Sequence, residues 1–516
     1  MRPQDVQKAK KSVVKVMGVH TTFNWTQPYI DTEELQFGGT AFFVDPKEFG
    51  EVPFKTRGLR FLLTNFHVVD SVITKKVELC IPSKGFNRLS ASIIHVVPSM
   101  DVAILCIDPL GEHPAWRCND SIPLFLEDIP NLKLNNTPVK GNSQEVTAIG
   151  FPSLSTDYQL CEGCVSGRGL GMIQLNLSLN GGNSGGPLMH KNKVIGICTA
   201  SEAETEAIGL AVPIHQILRF FRHWADFSKE LLKIPSWGID MNILTDEYLK
   251  YNNIRESTQG VLVEKVIKDQ AGFQAGLKPD DIIVGLHDRN NRYNVDYDGL
   301  VSVDWTDKRI PITNTEFIMS LDPDTIEICI FRKKKTKTLK IKPSVIEFKT
   351  DERYHCWEDI PYAMFGGTVW MNFAVNHMEE YEDEELPIPS SQSIPLANKI
   401  KKSMNMEHIV ICTHIPGQTY FETQRVLMPY DILVSINDIK ILNVQHMNEL
   451  IADLAKNIED KPYAKFQLER CRMFVDLKQV LLQETAMVEK FEEPVFMTNI
   501  KVKRTRKRRR LTNITL

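Results

Sequence analysis

Asn180-Gly181-Gly182-Asn183-Ser184-Gly185-Gly186-Pro187-Leu188 sets four glycines around a single serine. Such a stretch folds as a tight, exposed turn, because Gly182 can take backbone angles that a Cβ forbids. The turn can aim the N–H groups of Gly182 and Ser184 at one point, where an oxyanion would be held. A serine hydroxyl is a weak nucleophile by itself. It needs an imidazole to take its proton and a buried carboxylate to keep that imidazole in one tautomer. Both partners stand in informative contexts. His67 ends the apolar run Leu63-Thr64-Asn65-Phe66-His67-Val68-Val69, and Asp101 directly precedes a strong strand in Ser99-Met100-Asp101-Val102-Ala103-Ile104-Leu105. The order is His, Asp, Ser, with spacings of 34 and 83 residues; Asp70 and Asp108 are the alternatives for the acid.

Around these strings, residues 12 to 212 read as short apolar runs, such as Gly39-Thr40-Ala41-Phe42-Phe43-Val44 and Val194-Ile195-Gly196-Ile197-Cys198, separated by Gly, Pro, Asn and Asp. That pattern belongs to a sandwich or barrel of strands. Ile214, Ile217, Leu218, Phe221 and Trp224 then repeat at helical spacing, which predicts a helix over Pro213 to Leu232. Two strings of the form Pro-x-Asp-Ile-(Ile/Leu)-Val, starting at Pro279 and Pro429, mark a diverged internal repeat. Phe365-Gly366-Gly367-Thr368-Val369-Trp370 reads as a strand pair leading into the second copy.

The chain has 516 residues, enough for two to four cores, and 42% hydrophobic with 24% charged residues excludes a mainly disordered or collagenous protein. No run reaches the roughly 18 apolar residues of a membrane span, and Met1 to Lys15 lacks the apolar stretch of a secretory signal. The net charge of -4 is uneven: Lys501 to Arg510 holds eight basic residues and no acid. Such a run serves as a solvated terminus, or attracts nucleic acid or an import receptor. The ten cysteines are scattered, which fits reduced thiols in a reducing compartment. Cys161 and Cys164 form one CxxC without a second pair, so no metal is expected. No Gly-x4-Gly-Lys-Ser/Thr phosphate loop is present, and no cofactor is expected.

Together, Thr64-Asn65-x-His67-Val68-Val69, Asp101-x-Ala103, Gly182-Asn183-Ser184-Gly185-Gly186-Pro187 and Gly209-Leu210-Ala211-Val212-Pro213 resemble the HtrA/Deg (Do-like) family of PDZ-containing serine proteases. The likeness is strong over residues 12 to 225. Ser12-Val13-Val14-Lys15-Val16 ahead of a long first insertion, with two PDZ-like regions, resembles the plant-type Deg subgroup most. The resemblance implies a mainly β chain: a chymotrypsin-like double β-barrel over 10–228 and a first PDZ domain over 236–345. A second PDZ-like α/β domain over 356–495, with a strand extension and an acidic linker, and a basic tail over 496–516 complete it.

The same resemblance implies an ATP-independent serine endopeptidase that cuts unfolded or damaged protein through an acyl-enzyme, in protein quality control. A chaperone or scaffold, and a processing protease with a few defined substrates, are the alternatives. Ser184 is the nucleophile, His67 the base, Asp101 its orienting acid, and the amides of Gly182 and Ser184 the oxyanion hole. Ser178, six residues before the nucleophile, sits where the pocket floor is expected and is not an acid, which argues against strict cleavage after Lys or Arg. Thr199, Ala200, Ser201, Gly209 and Ala211 are the expected pocket walls. In the first PDZ domain, Gly260-Val261-Leu262-Val263 is expected to take a peptide carboxylate. The second copy has His408-Ile409-Val410-Ile411 there, without the glycine, and is expected to serve assembly. Partners are unfolded polypeptide or peptide C-termini and copies of the chain itself, as a trimer or a multiple of it. The expected compartment is cytoplasm or nucleus, with an organelle left open.

Overall fold

The computed structural model describes residues 3–30, 34–50, 59–85, 88–107, 126–139, 143–152, 157–169, 171–199, 209–378 and 407–490. They form two compact units, Met1–Thr22 with Glu33–Ile346, and Phe23–Thr32 with Glu347–Leu516. The acidic linker, the basic tail, Asp108, Ala200 and Ser201 lie outside the described residues.

In the first unit, β1 (Val13–Thr21), β2 (Glu34–Val44), β3 (Arg60–Thr64), β4 (Lys76–Cys80), β5 (Arg88–Val97) and β6 (Val102–Ile107) close into a barrel in the order β1-β2-β3-β6-β5-β4. A second barrel runs β10-β11-β12-β9-β8-β7, from β7 (Glu145–Gly150), β8 (Gln159–Gly169), β9 (Met172–Leu175), β10 (Pro187–His190), β11 (Lys193–Thr199) and β12 (Gly209–Pro213). One hydrophobic cluster joins them. Phe42, Phe61, Leu63, Val102 and Ile104 of the first barrel pack with Ile149, Phe151, Ile197 and Val212 of the second and with Ile214, Ile217 and Phe220 of the following helix. Burying so many large side chains at about 1.5 to 3 kcal/mol each makes the seam a core, not a hinge.

The helix spans Ile214–His223, shorter than its apolar spacing predicts. The Asp226 carboxylate takes both the N–H and the hydroxyl of Ser228, a local turn that competes with helix. The chain then lies extended on β5, where Val96 and Leu232 exchange backbone bonds with Glu230 and Val96.

A sheet of order β13-β14-β15-β19-β20 completes this unit: β13 (Ile239–Asn242), β14 (Val261–Val266), β15 (Ile282–His287), β19 (Glu327–Arg332) and β20 (Lys335–Lys340). Beside it, β16 (Arg292–Asn294) pairs with β15, and β17 (Leu300–Val303) pairs with β18 (Thr306–Pro311). Arg168 of β8 binds Glu316 of the helix Thr315–Ser320 at 2.6 Å, and His215 meets the same oxygen at 3.3 Å. These groups, His215 buried and the ion pair partly so, pin the sheet to the barrels.

The second unit repeats the strand order with one addition, β21-β22-β23-β24-β26-β27, with β25 (Ile439–Lys440) on β24. The members are β21 (Tyr362–Phe365), β22 (Thr368–Asn372), β23 (Val410–His414), β24 (Ile432–Ile436), β26 (Tyr463–Leu468) and β27 (Arg472–Asp476). Gly366 and Gly367, at φ +59° and +81°, make the two-residue turn between β21 and β22. Phe23–Thr32, inserted between β1 and β2, belongs to this unit. Trp25 packs on Val369 and Met371, and the Thr413 hydroxyl donates to Thr26 O at 2.9 Å.

Both sheets show what the repeated Pro-x-Asp string builds. Asp281 accepts the Lys278 N–H at 2.8 Å and pairs with Arg332 at 2.5 Å; Asp431 accepts the Met428 N–H at 2.8 Å and pairs with Arg470 at 2.6 Å. Each acid is 3% exposed or less, so it closes the turn before its strand and pins a far strand at once. The fold is thus mainly β, a chymotrypsin-like double barrel followed by sheets consistent with PDZ-like modules.

Candidate active site

The seam carries the sequence-predicted residues. Strand β6 is buried at every position, which fixes the residue ahead of it. Asp101 stands there at φ +52°, a left-handed conformation that Asp tolerates, and its N–H closes the short turn onto Pro98 O at 2.8 Å. Its carboxylate takes the His67 backbone N–H at 3.0 Å and lies 2.9 Å from Nδ1 through each oxygen. With Nδ1–H given to the acid, Nε2 is left as the acceptor. Burial lowers the affinity of His67 for a proton, but the hydrogen bond and charge of Asp101, with the charge of Asp70, outweigh it. The imidazole pKa is raised above its ordinary 6.5. The structure therefore brings His67 to Asp101 and leaves Asp70 as a more distant charge.

The serine turn belongs to the second barrel but is held by the first. Thr40 of β2, fully buried, gives its N–H to Ser184 O at 2.9 Å and its hydroxyl to Gly182 O at 2.7 Å. The Thr64 hydroxyl in turn donates to Thr40 O at 2.7 Å. Asn65 links all three parts: its Oδ1 accepts the Gly185 N–H at 2.5 Å and its Nδ2 donates to Asp101 O at 2.9 Å. Gly186 N–H bonds Asn183 O at 3.0 Å, and across a trans peptide this turns the Ser184 N–H to the opposite side. Gly182 and Gly185 sit at φ +92° and +86°, and a Cβ on Gly185 would lie 2.0 Å from Thr40 O. That is why glycine stands there.

Thr40, Thr64 and Asn65 were not singled out as site residues by sequence reasoning, although each lies within a quoted string. Thr199, expected in a pocket wall, also gives its hydroxyl to Asp101 Oδ2 at 3.3 Å. Ser178 is exposed, while Gly209 and Ala211 are buried on β12; a Cβ on Gly209 would meet Leu177 O at 2.6 Å. Among the described residues no His, Cys, Asp and Glu group could hold a metal ion.

One expectation fails. Gly260-Val261-Leu262-Val263 cannot take a peptide by strand addition, because β14 is paired on both sides, to β13 and to β15. Gly260, at φ +144°, approaches Ile283 O so closely that a Cβ would lie 2.5 Å from it. Among the described residues the edge strand on that side of the sheet is β13, entered through Gly238 at φ +68°. In the second unit the matching strand, β22, already carries β21, whose Tyr362 O also accepts from Asn448 of the helix Val444–Lys456 at 3.4 Å. There the Gly366 N–H is bound by the buried Glu484 carboxylate at 2.5 Å.

Residues 39–197 match the family described as trypsin-like peptidase domain. Protease Do-like 4, mitochondrial, of Arabidopsis thaliana is 23% identical over 86% of this chain and 77% of its own length. Serine protease Do-like HtrA of Bacillus subtilis is 27% identical over 57% of this chain and 63% of its own. Among solved structures, HtrA-type protease AlgW with decapeptide is 19% identical, with a TM-score of 0.44, over 66% of this chain and 98% of its own. No helix among the described residues is long and apolar enough to cross a membrane. The chain is a serine endopeptidase with a trypsin-like peptidase domain, homologous to the Do-like/HtrA proteases.

Proposed function

We propose that Ser184 attacks the scissile carbonyl, that His67 takes its proton at Nε2 and returns it to the leaving amine, and that Asp101 holds the imidazole and steadies its cation. The amides of Gly182 and Ser184 receive the oxyanion, and water then releases the acyl group from Ser184. The observation that carries this reading is the Asp101 carboxylate at 2.9 Å from His67 Nδ1, tied through Asn65 to the turn that bears Ser184. Ser178, Thr199, Gly209 and Ala211 shape a pocket for small or medium apolar side chains.

The substrates are unfolded or damaged polypeptides, cut without ATP in protein quality control. The β13 edge takes peptide C-termini, and the second unit serves assembly into a trimer or a multiple of it. The mitochondrial names of three Arabidopsis relatives support an organellar compartment over cytoplasm or nucleus. No comparison supports a nucleic-acid or import-receptor partner.

The test is hydrolysis of unfolded casein by the full chain and its Ser184→Ala variant. The variant should lose roughly 10⁵-fold or more in rate while keeping its circular dichroism spectrum. Undiminished cleavage would reject the assignment.

A further inference from the structure

The sheet of the first unit carries a second relay of nucleophile, imidazole and carboxylate, remote in sequence from the first. His287 stands opposite Glu327 across β15 and β19, and Gly285 stands opposite Cys329 two positions along the same pair. Side chains at alternate positions share a face, so His287, Glu327 and Cys329 meet on one side of the sheet. His287 Nε2 is 2.8 Å from Glu327 Oε2, and Nδ1 is 3.7 Å from Cys329 Sγ. The carboxylate fixes the tautomer: Nε2 carries the proton, and the lone pair on Nδ1 faces the thiol. Thr338 Oγ1 lies 3.8 Å from the same sulfur.

The face is reachable and cationic. Cys329 is partly exposed, and its cross-strand neighbour Gly285 puts no side chain over it. Arg292 pairs with His287 across β15 and β16, and Lys340 pairs with Glu327 across β19 and β20, so a basic group flanks each end of the relay. The larger core of the sheet is built from the opposite face, with Leu286, Ile328 and Ile330, and the smaller cluster of Leu249, Ile282 and Phe331 on this face includes none of these groups.

We propose that Cys329 is a modification site, a thiol set up for exchange with small anionic disulfides of the glutathione disulfide type. Nδ1 of His287 takes the thiol proton as Sγ attacks one sulfur of the reagent. The Cys329–S bond forms as the reagent's S–S bond breaks, and the departing thiolate takes the proton from His287. One protein thiol and one disulfide become one mixed disulfide and one free thiol, and excess small thiol reverses the step.

The test incubates the native full chain with oxidised glutathione and follows mixed disulfide at each cysteine by peptide mass spectrometry. Cys164 and Cys471, also partly exposed, are the internal references. Cys329 should react roughly tenfold faster than either. His287→Asn should slow Cys329 about tenfold and leave both references unchanged, and Glu327→Gln should slow it by a smaller factor. Cystamine, a cationic disulfide, should show a smaller preference for Cys329. Equal rates at the three cysteines, or a Cys329 rate that His287→Asn does not move, would overturn the proposal. Equal preference with cystamine would overturn its anionic selectivity.

Discussion

The sheet at residues 239–340 and the sheet at 362–476 share an interior and differ at an edge. Both place a buried aspartate at the turn after Pro279 or Pro429 and pair it with an arginine from a distant strand. Their strand orders coincide from β13 to β20 and from β22 to β27. Among the described residues, β13 ends the first sheet with its outer edge unpaired; in the second, β21 fills the matching edge and Glu484 binds the amide of the turn beside it. A repeated string therefore preserves the packing problem, while the recognition surface depends on what the flanking chain does. An unpaired edge offers backbone groups to an added peptide strand, and an occupied one does not.

The largest expected effect tests the shared interior. Asp281→Ala leaves the Arg332 guanidinium, 18% exposed, without its acid and should cost the first sheet about 3 kcal/mol or more. Asp431→Ala should cost the second sheet less, because Arg470 is 38% exposed and regains water. Hydrogen exchange of the β15 and β24 amides measures the two losses. Equal, negligible losses would show that the repeat is not a structural pin.

The next effect sharpens the difference at the edge. Met241→Pro takes one amide off β13 and should weaken binding of a fluorescent decapeptide with a free apolar C-terminus about tenfold. Hydrolysis of a short chromogenic peptide by the same variant should be unchanged. Binding that survives the proline, or two peptides bound per wild-type chain, would place the peptide elsewhere or open the second edge as well.

How much of this was legible differs by residue. His67, Asp101 and Ser184 stand in local strings whose neighbours set their backbone, so short windows sufficed. Thr40 is different: its hydroxyl matters only because β2 meets a turn 142 residues away. The failed reading of Gly260 to Val263 has the same cause. A glycine before an apolar strand is a local signal, but whether that strand is central or at an edge depends on pairing with β13, which lies upstream, and with β15, which lies downstream. Likewise nothing local in Phe23–Thr32 says that it packs with residues more than 300 positions later. Apolar spacing extends the helix after Pro213 too far because it continues past the point where Asp226 captures Ser228.

The central claim is that Ser184 is activated by an imidazole which Asp101 holds, and the pH dependence of Ser184 labelling by a fluorophosphonate tests it most directly. The reaction needs neutral His67, whose pKa lies above 6.5, so labelling of the wild type should fall off on the acid side at a midpoint above that value. Asp101→Asn removes the hydrogen bond and the charge that do most to raise the pKa, leaving the weaker pull of Asp70 against the lowering by burial. The midpoint should then move down in pH, and the rate above it should fall by roughly 10⁴-fold through loss of the correct tautomer. Labelling with the same acid limb and rate in the variant, or no labelling at Ser184 in an enzyme that still cuts casein, would contradict it.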